Sequence, residues 1–100
     1  MTPLEARLAE LAATGQTASY GALSRELGLR MRDLTAALEA LMEQDARAGQ
    51  PLRAALCKGK LSQELPAQGF FMKCAELGID VDNPATFVAW HRMSLSGSDQ

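Results

Sequence analysis

At 100 residues, 47% of them hydrophobic and 22% charged, the chain has the length and composition of one globular domain that can bury a modest core without disulfides or a structural metal. Ten Lys and Arg against twelve Asp and Glu give a formal charge of -2, which excludes a uniformly basic protein and leaves phosphate attraction to uneven placement of the cations. No apolar run approaches the roughly 20 residues that span a bilayer. Cys57 and Cys74, with no Cys-x-x-Cys and only His91 as a nitrogen ligand, read as reduced thiols and not as a disulfide or zinc site. The expectation is a cytoplasmic chain with no membrane partner, no cofactor and no metal.

The first element is announced by Thr2, Pro3 and Glu5: a capping hydroxyl, a proline suited to the first helical position, and a glutamate that completes a capping box. Leu4, Leu8, Leu11 and Ala12 then recur at helical spacing until Gly15, where the helix should stop. Gln16 to Ala18 are read as extended, and Ser19 as the cap of a second helix from Tyr20 to Leu27 that ends at Gly28. A third helix is expected from about Met31 to Ala48, with Gly49 as its stop and Pro51 beyond. At about 100° per residue, Met31, Leu34, Leu38, Leu41 and Met42 share its apolar side, opposite Arg32, Ala36, Glu39 and Glu43.

Leu52 to Cys57 is short and apolar, Lys58-Gly59-Lys60 interrupts it, and Leu61 to Leu65 can return before Pro66. The pattern predicts a β-hairpin whose loop runs from Lys58 to Glu64. Gly69-Phe70-Phe71 opens a fourth helix through Leu77, and Asn83-Pro84 a fifth, since asparagine caps well and proline fits the first turn. Phe87 and Trp90 are spaced to share a core face, with His91 at its edge. Residues 1–93 are therefore expected to form one domain and residues 94–100 a fraying tail.

Two helices meeting at Gly28, followed by a strand, a cationic loop and a strand, have the layout of a winged helix-turn-helix. The fold class expected is α+β: three helices, a β-hairpin wing and two C-terminal helices. Thr17 to Gly28 resembles the Tyr-Gly-containing start of winged-helix domains, including that of the alkyltransferase and alkyltransferase-like DNA-repair proteins. Gly49 to Leu56, followed by Leu65 to Phe71, resembles a group of small, mostly uncharacterised bacterial winged-helix-type modules, and the two likenesses cover about half the chain. The alkyltransferase signature, Pro-Cys-His-Arg or Pro-Trp-His-Arg, is matched only by Ala89-Trp90-His91-Arg92, too far from Tyr20 to imply alkyl transfer. What the resemblance implies is a fold, and a place for Tyr20 and Arg32 near a phosphate backbone.

Arg30 and Arg32 open the expected recognition helix, while Lys58 and Lys60 mark the wing tip. These are the two places where a winged helix touches double-stranded DNA. With Tyr20 they form the candidate nucleic-acid site of a small non-catalytic module. The alternative is a protein-interaction module of the same fold, favoured by the acidic balance, by Glu39 and Glu43 on the exposed helix side, and by Leu61 in the wing. A ribose-phosphate enzyme is less well supported: Asp80 and Asp82 before Pro84 lack the glycine-rich anion loop such chemistry needs.

Overall fold

The computed structural model describes residues 1–60 and 64–96. Helix α1 (Pro3–Thr14) begins with the capping box expected: the Glu5 amide donates to the Thr2 hydroxyl at 3.2 Å, and the Thr2 amide donates to the Glu5 carboxylate at 2.9 Å. Strand β1 (Ala18–Ser19) leads directly into α2 (Tyr20–Leu27), and the Ser19 hydroxyl accepts from the Ala22 amide at 3.1 Å. Gly28 ends α2 at φ 66°, a left-handed conformation that costs glycine little and other residues more. Leu29 and Arg30 complete a three-residue turn into α3 (Met31–Arg47).

The core grows from the inward stripe of α3. Leu34, Leu38, Leu41 and Met42 are buried against Leu8 and Leu11 of α1, Leu23 of α2, and Leu52, Leu56 and Cys57 downstream. Met31 departs from the sequence reading, because it is 47% exposed. As the first residue of α3 it lies one turn outside the packed stripe, and periodicity alone does not show where a stripe ends.

The largest correction concerns residues 52–58. The expected strand Leu52–Cys57 is a 3-10 helix at Arg53–Leu56, and the two-residue β2 (Cys57–Lys58) follows it. β2 pairs in parallel with β1, Ala18 opposite Cys57 and Ser19 opposite Lys58, so a parallel two-stranded sheet stands where a hairpin was expected. The reason is hydrogen bonding by side chains from distant helices. The Leu52 amide donates to His91 Nδ1 at 2.8 Å, and the Arg53 amide donates to the Asp45 carboxylate at 3.0 Å. Both donors that a strand would use at its start are thereby committed. Leu52, Ala54, Ala55, Leu56 and Cys57 are all buried, without the alternating exposure of a hairpin strand. The crossover from β1 to β2 runs through α2, α3 and the 3-10 helix, a connection long enough to allow parallel pairing.

Of the expected return strand, residues 61–63 lie outside the described residues, while Glu64 and Leu65 form a turn. The Gly59 amide donates to the Leu65 carbonyl at 2.8 Å and closes the loop. Glu64 has a φ of 73°. Helix α4 (Gln68–Glu76) buries Phe70 and Cys74, and α5 (Pro84–Ser96) buries Val88 and His91. Because α5 continues through Ser96, three residues of the expected tail are helical; residues 97–100 lie outside the described residues. Five α-helices and a small parallel sheet among the described residues make an α-rich arrangement compatible with the α+β class. No described helix is long and apolar enough to cross a membrane.

Candidate nucleic-acid interface

Arg30 occupies the capping position of α3 but makes no side-chain capping bond. The first amides of this 17-residue helix therefore lack a side-chain acceptor from that position, and the positive end of the helix dipole lies between Arg30 and Arg32. Both arginines are exposed, and neither forms an ion pair among the described residues. Arg25, on the last turn of α2, is also exposed and unpaired among the described residues. Asp33, in the first turn of α3, is the acidic group nearest in sequence and offsets part of this potential.

The acidic residues of α3 are disposed differently from the sequence expectation. Glu43 accepts from Lys73 Nζ at 2.7 Å, and this pairing holds its carboxyl below the usual range. Lys73 of α4 lies against α3 and also reaches Glu76 at 3.3 Å. Glu39 is half-buried and lines a small groove with Tyr20, Thr35, Ala67 and Phe70. Lys73 thus compensates Glu43, whereas Glu39 has no ion pair among the described residues and keeps its negative charge on α3.

Lys58 and Lys60 differ from each other. Lys58 is half-buried, and its ammonium contacts Glu64 at 3.2 Å across the base of the loop; Lys60 is exposed. The β1–β2 register sets Lys58 beside Ser19 and hence at the start of α2. Arg30 follows the far end of the same eight-residue helix, about 12 Å along its axis. The structure thus sets Tyr20 and Lys58 at the start of α2, where the Arg25 guanidinium also reaches back beside Gly21, and Arg30 and Arg32 beyond its far end.

Tyr20 is a structural tie. Its hydroxyl accepts from the Ala67 amide at 3.0 Å, at the start of α4. Burial pushes the phenol up to about 12. Two arginines with no local sequence signal complete the scaffold. Arg53 joins Asp45 of α3 at 2.9 Å to Glu5 of α1 at 3.1 Å. Arg92 of α5 donates to the carbonyls of Ala55 at 2.7 Å, Cys57 at 3.2 Å and Glu64 at 2.7 Å. It holds both flanks of the cationic loop. Only the long-range packing of α5 against residues 55–64 reveals this role.

Cys57 and Cys74 are buried and unlinked. Burial raises the Cys57 thiol to about 12 and the Cys74 thiol to about 11, so neither is a ready nucleophile at neutral pH. Among the described residues no cluster of His, Cys, Asp and Glu could hold a metal. No family model, curated protein or solved structure matches the chain.

Proposed function

We propose that the chain is a small, non-catalytic nucleic-acid-binding module of winged-helix type that approaches duplex DNA with the start of α3. The observation that carries this reading is the pair Arg30 and Arg32, exposed and without an ion pair among the described residues, at a helix N-terminus without a side-chain cap. Amides and guanidinium groups there suit phosphate oxygens, while pairing of Glu43 with Lys73 removes one repulsive charge from the same helix. Lys60 adds a second point of contact from the loop, which takes the place of the wing. Lys58 contributes less, because Glu64 already compensates its charge.

Fluorescence anisotropy with a labelled mixed-sequence duplex, at low and at moderate salt, tests the reading. Joint Arg30→Ala and Arg32→Ala substitution is expected to weaken binding at least tenfold, roughly the effect of losing about 1.4 kcal/mol. Arg47→Ala, 15 residues beyond Arg32 on the same helix and about 22 Å away, is expected to change affinity little. Equal losses in both variants would indicate diffuse attraction without a site. Absence of binding at low salt would favour the second reading, a protein-interaction module. One observation supports that alternative: an apolar groove of about 380 Å³ between the start of α1 and α3, lined by Leu4, Leu27, Leu29, Ala37 and Leu41.

A further inference from the structure

Among the described residues, Glu64 is the one position other than glycine with a positive φ, at 73°. A glutamate in that left-handed region carries strain that glycine would avoid, and such a conformation persists only where the surroundings hold it. The Glu64 carbonyl accepts from Arg92 Nη2 at 2.7 Å, and the Leu65 carbonyl accepts from the Gly59 amide at 2.8 Å. Both bonds are made by main-chain carbonyls, so a glycine at position 64 would keep them with less strain. What the glutamate adds is its carboxylate, whose two oxygens lie 3.2 and 3.4 Å from Lys58 Nζ.

That ion pair does little for the fold. The Lys58 side chain is 33% exposed and that of Glu64 68%, and pairs so open to water contribute little stability. Its effect is local. Strand pairing sets Lys58 beside Ser19 at the start of α2, where the Arg25 guanidinium lies back beside Gly21. The Glu64 carboxylate presents to Lys58 two anionic oxygens, the same acceptors that a phosphodiester would bring to an ammonium group.

We propose that Glu64 is an intramolecular competitor for phosphate, which covers Lys58 in the free chain and gives way to a backbone phosphate when duplex DNA engages the loop. This rests on the nucleic-acid reading above and adds its regulation: Lys58 is a contact held in reserve. Exchanging one anion for another at Lys58 breaks an ion pair and forms one, so the covered lysine adds little to affinity. Contacts at Arg30, Arg32 and Lys60 bring the duplex backbone to the loop at high local concentration, which lets a phosphate displace the carboxylate. The weakness of an exposed pair is what makes it exchangeable.

Removing the competitor tests the proposal. Fluorescence anisotropy of a labelled mixed-sequence duplex is followed on the full chain from about 20 to about 200 mM salt. Glu64→Gln keeps the size of the side chain and loses its charge. It is expected to bind about three- to tenfold more tightly at the lowest salt and to steepen the slope of log K against log salt by about 0.9, as one added phosphate contact does. Glu64→Gly, which also relieves the left-handed backbone, is expected to show the same gain with no loss of stability to urea. Lys58→Ala in the Glu64→Gln background is expected to cancel the added slope and affinity, whereas simple relief of repulsion would leave them in place. Glu10→Gln is the control: its pair with Arg7 has the same 3.2 Å separation and nearly the same exposure, 33% and 69%, and its removal is expected to leave the slope unchanged.

A parental slope in Glu64→Gln, a gain that survives Lys58→Ala, or an equal gain in Glu10→Gln would overturn the proposal while leaving parental binding and its dependence on Arg30 and Arg32 intact. Loss of urea stability in both Glu64 variants would make the pair a brace of the loop and would overturn it as well. Absence of binding by the parent and every variant at the lowest salt would overturn the nucleic-acid reading, and this inference with it.

Discussion

His91 shows how one side chain can decide a backbone conformation. Its Nδ1 accepts from the Leu52 amide at 2.8 Å, which requires that nitrogen to be unprotonated. Burial lowers its pKa below the ordinary value, opposed by the carboxylate of Asp45. Asp45 is itself paired with Arg53, which also binds Glu5. A histidine with a depressed native pKa contributes stability that is complete above about 6.5, its unfolded value, and diminishes as pH falls from there toward the native pKa. Urea unfolding of the parent at pH 7.5 and 5.5 is therefore expected to show lower stability at the acidic value. His91→Asn, which keeps an acceptor near Nδ1 but does not titrate, is expected to flatten this part of the profile. An unchanged slope in the variant would remove His91 from the account.

Residue position along α3 has a similarly definite consequence. Leu38 is 4% exposed and Met31 47%. Leu38→Ala is expected to cost about 2 to 5 kcal/mol through lost transfer energy and a residual cavity. Met31→Ala is expected to remain within about 0.5 kcal/mol of the parent. Denaturant midpoints measured side by side check both figures. The sequence grouped the two residues on one stripe, and only their neighbours separate them.

At the scale of elements, the loop between β2 and α4 depends on a helix that follows it by nearly thirty residues. The three carbonyls held by Arg92 would face weaker solvation or none without it, and hydrogen bonds to a charged donor contribute about 1.5 to 3 kcal/mol each. Arg92→Met, which retains much of the apolar stem, is expected to lower stability by about 2 kcal/mol or more. It is also expected to accelerate hydrogen exchange at the Gly59 amide, whose bond to Leu65 closes the loop. Unchanged protection at Gly59 would show that the loop closes without the clamp. Trp90 belongs to the same helix and carries a second correction. Its spacing from Phe87 suggested a shared core face, yet the inward phase of α5 is Val88, His91 and Leu95. Phe87 is half-buried against His91, with ring centroids 4.5 Å apart, and Trp90 turns outward.

For the whole molecule, the ion pairs redistribute a negative total. Arg7, Arg53, Lys58 and Lys73 are engaged with carboxylates and Arg92 with backbone carbonyls. Of the five remaining cations, which have no ion pair among the described residues, Arg47 lies at the far end of α3, which leaves Arg25, Arg30, Arg32 and Lys60 for the proposed interface. If these four each meet a phosphate, log K against log salt is expected to have a slope of about -3 to -4. Lys60→Ala is expected to reduce the steepness by about 0.9, and Lys58→Ala by less. A slope near zero would contradict phosphate contact altogether.

Local chemistry in the sequence was sufficient for the helices. Thr2 with Glu5, Ser19, Gly15 and Gly28 act within a few residues of themselves, so their effect on the chain could be read directly. Leu34, Leu38, Leu41 and Met42 likewise declare a buried side by spacing alone. The exposed arginines of the α2–α3 turn were legible for the same reason. The path of residues 52–58 was not, because its amide partners are Asp45 and His91, eight and thirty-nine residues away. Nor could spacing disclose that Glu64 compensates Lys58, that Lys73 compensates Glu43, or that Tyr20 holds the start of α4. Periodicity records which side of an element is apolar. The pairing of strands, the partner of each charge and the side on which α5 buries its residues were decided by tertiary packing, because each depends on a distance between segments that no local pattern encodes.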